Sequence, residues 1–111
     1  MEADFTFRHE RAIMEGGGPV ILIDRPLWLG HGPRSRGRYW SHLVSDLSEA
    51  ELHAFAEQLG IPRRGFDRDH YDVPAERFDE AVELGATVVT SREIVRRLVA
   101  AGLRRPRPAA R

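Results

Sequence analysis

Five histidines punctuate the chain: His9, His31, His42, His53 and His70. His31, His42, His53 and His70 fall within 40 residues of one another, interspersed with Asp46, Asp67, Asp69 and Asp72. Imidazole and carboxylate side chains can hold a divalent cation, and imidazole can also move a proton near neutral pH. His70 and Asp72 are two apart, so an extended segment points both to one face and Tyr71 to the other. Such a pair can bind a metal, or the carboxylate can orient the imidazole. Equally, Asp72 could cap a following helix while His70 bonds to backbone. His42 and Asp46 flank an apolar pair; His42 could be a ligand or a satisfied polar group within a strand.

Asp24 follows four apolar residues and would stand at the end of a strand, a position where ligand crevices form in α/β sheets. His53 lies roughly 110° around its helix from the centre of the apolar stripe, a boundary position beside Glu49. It could be a ligand, a base or one half of a surface pair. Arg63 and Arg64 could clamp a phosphate or carboxylate, or pair with the local aspartates. Tyr71, with Trp28, Tyr39 and Trp40, could stack on a ring, or these aromatics could be core.

The elements that must position these residues follow from periodicity and capping. Val20-Ile21-Leu22-Ile23 reads as a strand buried on both faces. Residues 25–38 carry three Gly, two Pro and four Arg and read as a long loop. Residues 39–45 form a second strand candidate. Ser48 and Glu51 make a capping box for a helix over 49–59, with Leu52, Phe55, Ala56 and Leu59 as its apolar stripe and Gly60 and Pro62 at its end. Residues 63–73 read as a loop with a short strand at one end. Pro74 starts a second helix, capped near Asp72 or Val73, with Ala75, Phe78, Ala81 and Val82 on one face and Gly85 closing it. Thr87-Val88-Val89-Thr90 reads as a short strand. Thr90 and Glu93 cap a third helix over 91–101, burying Ile94, Val95, Leu98 and Ala101. Strands alternating with helices predict an α/β domain with a small, mostly parallel sheet of about three to four strands and about three helices. Residues 1–18 are expected to be a flexible arm, 19–103 a single domain and 104–111 a disordered Arg/Pro tail.

Composition bounds the function. Lysine is absent, so all 17 basic residues are Arg, and they balance 17 acidic ones to a formal charge of zero. No long-range field favours nucleic acid or an anionic membrane. Cys is absent, which excludes disulfides, thiolate metal sites and Cys nucleophiles. No stretch approaches a membrane span and no secretory signal is visible, so a cytoplasmic location is expected. Glycine-rich dinucleotide fingerprints, P-loops and serine nucleophile elbows are missing.

Val20-Ile21-Leu22-Ile23-Asp24, His42-Leu43-Val44-Ser45-Asp46, Glu51-Leu52-His53, Gly60-Ile61-Pro62-Arg63, His70-Tyr71-Asp72-Val73-Pro74 and Gly85-Ala86 together carry a resemblance. In that order and spacing, the chain resembles the DUF4031 family of bacterial and phage proteins. The resemblance implies a compact standalone domain and supplies no reaction. The expectation from the residues is a metal-dependent hydrolase binding one divalent ion. His53, His70 and Asp72 are its candidate catalytic groups. His42, His53, His70, Asp72, Asp24 and Asp46 are its candidate ligands. Arg63 and Tyr71 would bind a small anionic, phosphate-containing or nucleotide-like substrate. The alternative is a noncatalytic module that binds protein or nucleic acid, with the His/Asp set as a structural network. Oligomeric state is left open.

Overall fold

The computed structural model describes residues 21–28 and 37–105. The expected arm, His9, His31 and residues 106–111 lie outside the described residues.

Ile21, Leu22 and Ile23 form β1 (Ile21–Ile23), each at most 2% exposed, because helices cover both of its faces. β1 lies antiparallel to the longest strand, β3 (Tyr39–Ser45), and the short β2 (Leu27–Trp28) continues along the same side of β3. Between the pairs Ile23↔Leu43 and Leu27↔Trp40, the first strand advances four residues while β3 covers three. The extra residue is a β-bulge at Arg25-Pro26, where proline has no amide to give to a ladder.

Ser48 accepts a hydrogen bond from the Glu51 amide and starts α1 (Glu49–Leu59). Leu52, Phe55, Ala56 and Leu59 are its buried stripe. Gly60, at φ 84°, ends it in the left-handed conformation, and the Ile61 amide closes the turn on the Ala56 carbonyl. The Arg77 guanidinium donates to the Leu59 carbonyl at the same helix end.

Residues 66–74 form a hairpin after a 3₁₀ turn over 63–65, where the sequence predicts a loop with a short strand at one end. β4 (Phe66–Asp67) and β5 (His70–Pro74) pair antiparallel, and β5 pairs antiparallel with β3. The turn is made by Arg68, at φ 66°, and Asp69. Pro74 closes this strand and does not open a helix; a 3₁₀ turn over 75–77 leads into α2 (Phe78–Leu84). β6 (Thr87–Val88) lies parallel to β1, and Thr90 caps α3 (Ser91–Ala100) by accepting from the Glu93 amide. Ile94 and Leu98 of α3 are buried, whereas Val95 is 42% exposed.

The sheet order is β4-β5-β3-β1-β6, with β2 beside β3. The expected mostly parallel sheet of three to four strands is therefore corrected: among the described residues six strands form a mixed sheet that is mostly antiparallel, with three α-helices. The expectation rests on the helices read between later strands, although residues 25–38, between the first two strands, read as a loop. Here β1 and β2 both pair antiparallel with β3, and a tight turn joins β4 to β5 and returns the chain antiparallel.

Strand alternation gives the sheet two faces. One carries Ile21, Ile23, Leu43, Tyr71 and Val73 and is roofed by α1 and α2. The other carries Leu22 and Val44, which meet Ile94 and Leu98 of α3. On this second face His42, Asp72 and His70 continue the same rows beyond the apolar contact.

Ser41, on the face of α1, is fully buried, and its hydroxyl has no hydrogen-bond partner among the described residues. Ser41→Ala is therefore expected to raise stability by up to about 1 kcal/mol. Phe55→Ala, by contrast, should cost about 3–5 kcal/mol. Urea melts check both; a destabilised Ser41→Ala protein would mean that the hydroxyl is satisfied.

Candidate metal centre

His42 in β3 stands directly opposite Asp72 in β5, and His70 lies two residues before Asp72 on the same face. Ligand atoms of the three side chains lie within 4.8 Å of one another. The two imidazoles meet edge to face with centroids 5.2 Å apart. His70 Nε2 is 3.3 Å from Asp72 Oδ1. That spacing matches the ~3.3 Å ligand–ligand edge of a tetrahedron built on metal bonds of about 2 Å.

Each imidazole is held by its other nitrogen. His42 Nδ1 is 2.7 Å from Asp24 Oδ2, and the His42 amide donates to Asp24 Oδ1 at 2.6 Å. The Asp24 amide donates in turn to the His42 carbonyl at 3.2 Å. The Asp24 carboxylate thus stands in for a strand carbonyl at the bulge, which frees the backbone to turn away. Ser91, the first residue of α3, donates its hydroxyl to Asp24 Oδ2 at 2.6 Å. His70 Nδ1 is 3.0 Å from Asp69 Oδ1, and Arg104 grips Asp69 with two bonds of 2.6 and 2.8 Å. A carboxylate on one imidazole nitrogen fixes the ring and leaves the other nitrogen to face a cation, the usual surroundings of a histidine metal ligand.

The electrostatics favour a cation. Asp24, Asp69 and Asp72 converge on the two imidazoles, and Arg104 is the cation paired with Asp69. Burial pushes the Asp24 carboxyl up, but hydrogen bonds from His42 and Ser91 and the charge of His42 outweigh it and hold it below the usual carboxylate value. Asp69 is likewise pushed up by burial and held below that value by Arg104 and His70. For His70, burial disfavours the imidazolium, but bonds to Asp72 and Asp69 prevail and raise its pKa above the ordinary 6.5.

The other expected site residues lie elsewhere. His53 is on the face of α1, where its Nδ1 is 2.7 Å from the Tyr71 hydroxyl and its ring stacks edge-on against Phe66. Tyr71 is 1% exposed, and burial keeps its phenol above the usual pKa. Arg63 lines a shallow cavity with His53, Glu57 and Tyr71. Asp46 pairs with Arg97 at 2.9 Å, although burial still pushes its carboxyl up. The sheet therefore separates the predicted residues into His42, His70 and Asp72, supported by Asp24, on one side, and His53, Tyr71 and Arg63 on the other. Asp69, Ser91 and Arg104 were missed as site residues. Asp69 has a sequence signal, its place beside His70; Ser91 and Arg104 reach the site only through tertiary contacts.

Two imidazoles and one carboxylate, with both rings pre-oriented, could bind a divalent metal and leave coordination positions open to solvent or a ligand. The family model described as "Protein of unknown function (DUF4031)" matches residues 21–101. No curated protein and no solved structure matches the chain. Among the described residues, no helix is long and apolar enough to cross a membrane.

Because the folded pKa of His70 is raised, its protonation stabilises the native state. That contribution is fully present below about pH 6.5, the unfolded value, and is lost as pH rises through the folded one. NMR titration of the metal-free protein should place His70 above 6.5, and Asp72→Asn should lower it. An unchanged His70 pKa in that variant would break the link to Asp72.

Proposed function

The chain belongs to the DUF4031 family, and from this starting point we propose that it is a metal-dependent hydrolase acting on a small phosphate-containing or nucleotide-like substrate. The observation that supports the metal reading is the convergence of His42, His70 and Asp72, with both Nδ1 atoms already committed to Asp24 and Asp69. His42, His70 and Asp72 would hold the ion, with Nε2 the nitrogen left free of Asp24 and Asp69 on each ring. A divalent ion there supplies Lewis acidity, which brings the pKa of water toward neutrality and polarises a phosphoryl oxygen. Asp24 and Asp69 keep both rings in the tautomer that offers Nε2.

Asp72 also lines a cavity of about 510 Å³ with Trp40, Phe66, Arg64 and Arg77. Arg77 is committed to Glu80 and the Leu59 carbonyl, whereas Arg64 is exposed. In this proposal Arg64 receives the anionic group and Trp40 the planar part of the substrate. Arg63 and Tyr71, the residues expected from the sequence to do this, line an adjoining cavity that shares Gly60, Ile61 and Pro62 with it.

Protein purified without tag or chelator is expected to carry or take up one equivalent of zinc, manganese, iron or nickel, measured by elemental mass spectrometry. His42→Ala and His70→Ala should abolish uptake, and His53→Ala should leave it intact. Loss of metal in the His53 variant alone would move the site to the opposite face. The loaded protein is then assayed on phosphate esters and nucleotides, where Arg64→Ala should raise KM more than it lowers kcat. A loaded protein inactive on that whole panel would sink the hydrolase reading while leaving the metal site standing.

A further inference from the structure

The two carboxylates that orient the imidazoles are both anchored by groups at the ends of one helix. Ser91, the first residue of α3, donates to Asp24. Arg104, just beyond its C-terminal end, forms the two-bond clamp on Asp69. Between them, Ile94 and Leu98 seat the helix on Leu22 and Val44. Arg97 adds a bond to Asp46, at the far end of β3. The route from helix to ligand is short on each side: Ser91 to Asp24 to His42, and Arg104 to Asp69 to His70.

We propose that α3 is the positioning element of the metal centre, acting through Ser91 on one ligand and Arg104 on the other, so that metal binding and the seating of this helix are energetically coupled. The inference rests on the metal reading above and goes beyond it. Ser91 and Arg104 bond to the carboxylates behind the candidate ligands, and in this proposal they are positioning residues. An Asp69 released from Arg104 can rotate away from His70 Nδ1, and His70 then loses its fixed ring orientation. Loss of such an outer partner typically lowers metal affinity about 10–100-fold. Coupling is reciprocal, so the metal must stabilise the seated helix to the same degree that the seated helix favours the metal.

Cobalt(II) titration of the full chain tests this, with affinity and the visible d–d band as readouts. Arg104→Ala is expected to weaken cobalt binding about 10–100-fold and to shift the band. Arg104→Lys should recover part of the affinity, since lysine restores the charge without the planar fork. Ser91→Ala should weaken binding in the same sense through Asp24, which keeps the test decisive if Arg104→Ala does not fold. Arg96→Ala, an exposed change on the same helix, should match the wild type. Cobalt should also slow amide hydrogen exchange across α3 in the wild type, and less so in Arg104→Ala. Wild-type affinity and an unshifted band in folded Arg104→Ala and Ser91→Ala would overturn the inference. A wild type that binds no cobalt would overturn the metal reading itself, and this inference with it, before any variant is made.

Discussion

The Asp24 carboxylate is the constraint on which the rest of the structure turns. It is buried, at 2% exposure, and a charge in that position is tolerated only when its oxygens are satisfied. They are: the His42 amide, the His42 imidazole and the Ser91 hydroxyl all meet it. One side chain therefore ends β1, splices the bulge into the ladder with β3, docks the start of α3 and sets the ring of a candidate ligand. Architecture and site are not separable here, because the same three bonds serve both.

The two faces of the sheet divide the labour. The face under α1 and α2 is apolar and closed, and supplies most of the core. The face under α3 is apolar only along β1 and the end of β3, where Leu22, Val44, Ile94 and Leu98 meet. Beyond that contact the same rows continue as His42, His70 and Asp72, half-buried and polar. A partly covered face gives a cation both a low-dielectric floor and an approach from solvent. His53 and Tyr71 mark the opposite arrangement: a polar pair closed into the edge of the core, with each group serving as the other's partner.

What was legible in the sequence was local. The first helix, its Ser48 cap, its buried stripe and its Gly60 stop could all be read directly, because capping and 3.6-residue periodicity depend on near neighbours. The same holds for Thr90 and the start of α3. The shared face of His70 and Asp72 was also readable, from strand alternation. The hairpin over residues 66–74 was not, because its turn carries arginine at the left-handed position instead of glycine or asparagine, and Asp72-Val73-Pro74 resembles a helix start. Strand direction is not legible for a related reason: pairing is decided between distant segments, and the reading of residues 25–38 as a loop is the one sequence clue to antiparallel return. The partnership of His42 with Asp72, and the grouping of His53 away from both, depend on that pairing and on which side α1 packs.

The parallel pairing of β1 with β6 joins segments near opposite ends of the domain, and the bond between Asp24 and Ser91 spans 67 positions of sequence. Contacts of such separation form only after a large loop has closed, which makes them slow relative to local hairpins and helices. On a ribosome, His42, His70 and Asp72 emerge and can pair as strands while α3 is still unmade. The carboxylates beside them acquire their final anchors only when Ser91 and then Arg104 leave the exit tunnel. The order of synthesis therefore makes the polar face the last part of the domain to be finished, and a nascent chain is kept from holding its completed geometry until the whole fold exists.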